Sequence, residues 1–109
     1  MLVAVERLKF KAKFFRGFAD PTRLAILECL RDGEVQATEI AKRLNQSESN
    51  ISNHLSCLMD CGLIINRRNG RNIYYSIRID KVRDILVRAD DTIKQVYDEI
   101  AACANYDEE

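Results

Sequence analysis

Between Val3 and Ala19 the apolar residues Leu8, Ala12, Phe15 and Phe18 recur at helical spacing. Phe10 and Phe14 widen that stripe beyond what one amphipathic face needs, so part of it must find cover elsewhere. Asp20 followed by Pro21 is an N-cap with proline at the first helical position. A second helix should therefore run to about Arg31, bury Leu24, Leu27 and Leu30, and stop at Asp32-Gly33. Thr38 reads as the cap of a short helix that ends near Leu44, with Ile40, Ala41 and Leu44 apolar and Asn45-Gln46 as its breaker. Ser47 caps the next helix: Ile51, Leu55 and Leu58 line its inner face, while Glu48, Asn50, Asn53 and His54 lie mostly outward.

Two helices joined by a short turn, the second polar on its outer face, form the helix-turn-helix pattern. After Gly62, a natural helix stop, the runs Leu63 to Arg68 and Asn72 to Ile79 are β-branched or aromatic and flank Asn69-Gly70. That pair predicts a type I′ hairpin, because such a turn needs positive φ at both central residues. The hairpin reads as a wing. From Asp80 the last helix sustains an apolar face through Val82, Ile85, Leu86, Ala89, Ile93, Val96, Tyr97 and Ile100. So long a stripe at the end of so small a chain points to a second chain.

The 109 residues predict a single domain, mainly α within the α+β class: a winged helix-turn-helix of about five helices with a two-stranded β-hairpin wing. No stretch approaches the roughly 18 apolar residues of a membrane span, and the basic residues interleaved from Arg7 to Arg16 break any signal-peptide core. No membrane partner and a cytoplasmic location are expected. Formal charge is zero, but it is unevenly placed: +2 over residues 1–35, +3 over 36–79 and −5 over 80–109. Exposed charges further apart than about 8 Å hardly feel one another at physiological salt, so a basic face can bind phosphate in a neutral protein. Cys29, Cys57, Cys61 and Cys103 would stay reduced in the cytoplasm, which leaves metal binding or plain burial.

The segments Ala19-Asp20-Pro21-Thr22-Arg23 with Ile26-Leu27, Ser47 to Leu55, Gly62-Leu63-Ile64 and Gly70-Arg71-Asn72-Ile73-Tyr74-Tyr75 together resemble the ArsR/SmtB family of winged-helix repressors. The resemblance runs from about residue 10 to 100. It implies a homodimer formed by the first and last helices (about 3–19 and 80–104), and an operator in double-stranded DNA that is released when an inducer binds. The run from Ser52 to Leu63 looks like the cadmium/lead-sensing CmtR type, in which two recognition-helix cysteines and one C-terminal cysteine of the other subunit hold the metal. Cys57 and Cys61 match the first two, and Cys103 is the candidate third by region. Residues 34–40 lack the cysteine of the arsenic and cadmium sensors with a helix-3 site, and the last helix has no histidine for a zinc-type site.

The chemistry is compatible with that implication. Cysteines four apart on a helix have Cβ atoms about 5–6 Å apart, whereas a disulfide wants about 3.5–4.5 Å. Thiolates are soft ligands that favour Cd(II) or Pb(II), with Zn(II) a further candidate, over magnesium or calcium. Both sulfurs buried as small core hydrophobes is the competing reading. Cys29, among Ala25, Ile26 and Leu30, reads as buried. Ser47, Ser49, Asn50, Asn53 and His54 share the early turns of the recognition helix, where side chains reach base edges. Arg67, Arg68 and Arg71 flank the wing turn, and Lys42 and Arg43 precede the recognition helix; all five are candidate phosphate contacts. Of Tyr74 and Tyr75, alternate on a strand, one should pack inward. A repressor sensing oxidants or arsenite through the same thiols, or a winged-helix protein-interaction module, are the alternatives. An enzyme is not expected, since no nucleophile stands with a supporting base.

Overall fold

The computed structural model describes residues 4–107; Val3, the expected start of the first helix, and the tail residues Glu108 and Glu109 lie outside them. The chain divides into two compact units, 1–79 and 80–109. The first runs α1 (Ala4–Arg16), α2 (Pro21–Cys29), β1 (Val35–Gln36), α3 (Ala37–Leu44), α4 (Glu48–Asp60), β2 (Ile64–Asn69) and β3 (Asn72–Ile77), and the second is one helix, α5 (Asp80–Asp107). This is a winged helix-turn-helix, mainly helical as the periodicity predicts.

The core of the first unit lies among α2, α3, α4 and the sheet. Ile26, Leu27, Leu30, Ile40, Ile51, Leu55 and Leu58 are fully buried. Leu24, expected inside, is 38% exposed, and Ile26 takes its place. With Ile26, Leu27 and Leu30 turned toward α3 and α4, Leu24 falls at the edge of the buried face.

Local chemistry sets the helix ends. Asp20 caps α2 from an extended conformation, its Oδ2 accepting from the Arg23 amide at 3.0 Å. Asn45 takes the left-handed conformation after α3 (φ 52°), and the amides of Asn45 and Gln46 reach the carbonyls of Lys42 and Ala41. Ser47 then caps α4, Oγ accepting from the Asn50 amide at 3.1 Å. At the other end Gly62 is left-handed (φ +77°), with Leu63 N donating to Leu58 O and Gly62 N to Met59 O, each at 3.0 Å. This paired closure folds Leu63 back toward Leu58, and both are fully buried.

Four expectations need correction. Thr38 does not cap α3: the helix starts at Ala37 after Gln36, which makes no side-chain cap. The reason is β1, where Val35 pairs with Tyr75 and Gln36 with Tyr74, so the chain passes straight from strand to helix. The sheet accordingly has three strands, in the order β1-β3-β2, and not only the two of the wing. The wing turn is also different. Asn69 pairs with Asn72, the two-residue loop is Gly70-Arg71, and only Gly70 has positive φ (+64°), as in a type II′ turn. Finally, α1 stops at Arg16 and not Ala19, because Gly17, Phe18 and Ala19 form tight turns onto Phe14, Phe15 and Arg16. A Cβ on Gly17 would lie 2.4 Å from Leu63 Cδ1, so glycine allows the end of α1 to seat against the core.

No residue of α1 is buried; Val5, Leu8, Phe10 and Phe15 are all more than half exposed. In α5, Val82 and Leu86 are buried, whereas Ile93, Val96, Tyr97 and Ile100 are exposed. Asp80 is the first residue of α5, and its carboxylate accepts from Arg83 at 2.6 Å. Among the described residues no helix is long and apolar enough to cross a membrane.

Candidate nucleic-acid interface and thiol cleft

The turn Asn45-Gln46-Ser47 sets α4 against α3 and α2, leaving its first turns outside. Ser47, Ser49, Asn50 and Asn53 are exposed, as are Lys42 and Arg43 on α3. Arg43 Nε donates to Glu39 Oε1 at 3.2 Å, one turn back on its own helix. Asn50 does not float in solvent: its Nδ2 donates to Gln46 Oε1, and Gln46 Nε2 donates to Thr22 Oγ1 at 3.1 Å. His54 departs from the outward position expected of it. Its side chain is only 20% exposed and turns to α2, Nδ1 lying 3.9 Å from Asp20 Oδ2. The Asp20 carboxyl is held below the usual carboxylate range, chiefly by the Arg23 amide bond and less by His54 and the Arg23 side chain, against an opposing desolvation. His54 thus lies between α4 and the start of α2, beyond hydrogen-bond distance of Asp20.

On the wing, Arg67, Arg68 and Arg71 are all exposed, and Arg67 is also paired. Its Nε donates to Glu34 Oε2 at 2.8 Å and Nη2 to Glu34 Oε1 at 2.5 Å, a fork on one carboxylate. Its guanidinium also lies 4.5 Å from the ring centre of Tyr74, its cross-strand partner. These hydrogen bonds hold the Glu34 carboxyl below its ordinary value and raise Arg67. Tyr74 OH accepts from Gln36 Nε2 at 2.8 Å, and Tyr75 packs inward at 8% exposure. Arg67 therefore ties β2 to the loop before β1, while its side chain stays about half exposed.

Cys57 on α4 and Cys61, the C-cap one turn later, open on one cleft with Lys13, Arg16, Arg23 and Asp60, a space of about 300 Å³. Cys57 is exposed; Cys61 is 8% exposed, its thiol donating to the Lys13 carbonyl at 3.2 Å. Arg23 Nη2 donates to Arg16 O at 2.7 Å, while its buried Nε has no hydrogen-bond partner. Two soft donors on one wall suit a thiophilic ion, provided Cys61 leaves the carbonyl. They are not a whole site. Among the described residues no three His, Cys, Asp or Glu side chains stand together to hold a metal. Cys103, on α5, is exposed and belongs to the other unit. Cys29 does not line the cleft; burial pushes its thiol up, against the opposing influence of Arg43.

The bacterial arsR family of regulatory proteins matches residues 20–66, the stretch from the α2 cap through the first half of the wing. CmtR of Mycobacterium tuberculosis is 42% identical over 77 residues, covering 71% of this chain and 65% of that one. A solution structure of this cadmium metal sensor is 39% identical and superposes with a TM-score of 0.62 over 71% of this chain and 80% of the other. The chain belongs to the ArsR family. The relatives that it matches carry the names of regulatory proteins and transcriptional regulators. A probable mercury resistance operon repressor of Streptomyces lividans is 41% identical over 78 residues, 72% of this chain and 62% of that one. This ArsR-family chain thus spans a little under two thirds of the length of these two curated relatives. The homodimeric winged helix-turn-helix domain of a possible ArsR-family regulator from Mycobacterium bovis superposes with a TM-score of 0.82 at 25% identity, covering 87% and 88% of the two chains.

The sequence carries the thiol pair and the polar face of α4 by spacing alone. Lys13, Arg16 and Arg23 in the cleft, the Thr22-Gln46-Asn50 chain and the Glu34-Arg67 pair escape it. Each joins residues of different elements, and no periodicity within one element records such a contact.

Proposed function

We propose that this ArsR-family protein is a homodimeric repressor that binds operator DNA and lets it go when a thiophilic ion of the cadmium/lead class binds Cys57 and Cys61 together with Cys103 of the partner subunit. The observation that carries the proposal is the opening of both thiols on one cleft. The uncovered apolar faces of α1 and α5 support the dimer, as does the homodimeric relative. In this account Ser49, Asn50 and Asn53 read base edges from the major groove, and Lys42, Arg43, Arg68, Arg71 and the Ser47 end of α4 meet phosphates. We assign its work to the cytoplasm, where such thiols stay reduced.

The bound ion supplies a bridge between subunits. Cys57 sits on the reading helix and Cys61 caps its end, so a tie from there to the partner's tail alters the spacing or rigidity of the two readers. Lys13, Arg16 and Arg23 offset the negative charge of gathered thiolates. By linkage, DNA must weaken metal binding by the factor with which metal weakens DNA binding, typically about 1–3 kcal/mol.

Titration of the reduced dimer with Cd(II) and Pb(II), reading thiolate-to-metal absorption together with release of a tightly bound duplex, tests the proposal. Cys57→Ser and Cys61→Ser should bind DNA near normally and fail to release it. Release that survives both substitutions would refute the thiol site. Proton release on adding Cd(II) separates it from sensing by disulfide formation, which exposed Cys57 would otherwise allow.

A further inference from the structure

Gln46 stands in the turn of the helix-turn-helix and is half-buried. Its backbone is fixed by the left-handed Asn45 and by its own amide, which donates to Ala41 O at 3.1 Å. Its side chain is fixed at both ends: Nε2 donates to Thr22 Oγ1 at 3.1 Å, and Oε1 accepts from Asn50 Nδ2. The Asn50 backbone amide is held in turn by Ser47 Oγ. A carboxamide has nearly the same shape either way round, so only its partners decide which end donates. In the structure Thr22 on α2 accepts from the Gln46 nitrogen, the Gln46 oxygen faces Asn50, and the Asn50 nitrogen faces Gln46. One N–H and the oxygen of Asn50 remain for a ligand.

We propose that Gln46, anchored by Thr22, is a positioning residue for sequence recognition: it fixes the orientation of the Asn50 amide so that Asn50 presents one donor and one acceptor to an adenine. Asparagine meets adenine through N7 and the N6 amino group, and a flipped amide exchanges donor for acceptor and loses that match. The proposal rests on the entry of α4 into the major groove. A side chain that only stabilised the turn would weaken binding to every duplex alike. A positioning residue changes which base is preferred at one position.

The test uses the full-length dimer and a pool of random-sequence duplexes, from which wild type, Asn50→Ala, Gln46→Ala, Gln46→Glu and Thr22→Val each select their preferred sites. Asn50→Ala should flatten an adenine preference at one position of each half-site. Gln46→Ala should reduce the preference at that same position by at least about fivefold, and Thr22→Val should reduce it in the same direction. Gln46→Glu keeps an acceptor for Asn50 Nδ2, so it should retain the preference while its added negative charge lowers affinity for all duplexes. In the Asn50→Ala background, Gln46→Ala should change no preference further. If Asn50→Ala flattens a position that both Gln46→Ala and Thr22→Val leave as in wild type, the positioning role is overturned while base reading by Asn50 stands. Should Asn50→Ala flatten no position at all, base reading by Asn50 falls and the role of Gln46 falls with it.

Discussion

Arg67, Arg68 and Arg71 are equally basic and close in sequence, yet they face different surroundings. All three are exposed, and Arg67 in addition forks onto Glu34 and stacks near Tyr74. An arginine forked onto a carboxylate through two nitrogens has less charge left for phosphate than one held through a single nitrogen, as Arg43 is by Glu39. We therefore expect Arg71→Ala or Arg68→Ala to lower the slope of log K against log salt by about one unit each, on any duplex. Arg67→Ala should leave the slope almost unchanged and lower affinity only through a loosened wing. A unit fall in the slope for Arg67→Ala, measured by titration over a range of salt, would return it to the interface. The three arginines were legible as a basic cluster. The pairing was not, because Glu34 lies 33 positions from Arg67 and meets it only once the sheet has formed. His54 was readable and was misplaced: three residues after Ile51 and four before Leu58, it lies by helical phase at the flank of the buried face, where the fold sets the Asp20 carboxylate beside it.

At the scale of elements, capping and turn residues carried most of the architecture. Asp20-Pro21, Ser47, Asn45 and Gly62 each act where the sequence places them, because each answers a local need of the backbone. The two-residue β1 left no periodicity to read, and the exact turn at Gly70-Arg71 depended on the pairing of Asn69 with Asn72. Gly17 is a further feature that composition hides. Its bare Cα admits Leu63, which is fully buried and has little room to yield. Gly17→Ala should therefore destabilise the protein by about 1–3 kcal/mol, the usual range for overpacking, as read from the urea midpoint at unchanged slope. A variant as stable as wild type would mean that α1 is not seated against Leu63 in solution.

For the whole molecule, the apolar faces of α1 and α5 exceed what one chain covers, and the thiol cleft holds two soft donors where a complete site needs more. The proposed second copy would answer both deficits. The stripes themselves were legible in the sequence, as was the pair Cys57 and Cys61. The third donor was legible only through family resemblance, because no spacing within one chain encodes a contact made between two. The most direct measurement mixes subunits: a heterodimer of Cys103→Ser with Cys57→Ser/Cys61→Ser, titrated with Cd(II) and read by thiolate-to-metal absorption. Ligands drawn from both chains predict one tight, three-thiolate metal per heterodimer, where each parent homodimer holds none. Absence of that restored site in the heterodimer would contradict a metal shared between subunits.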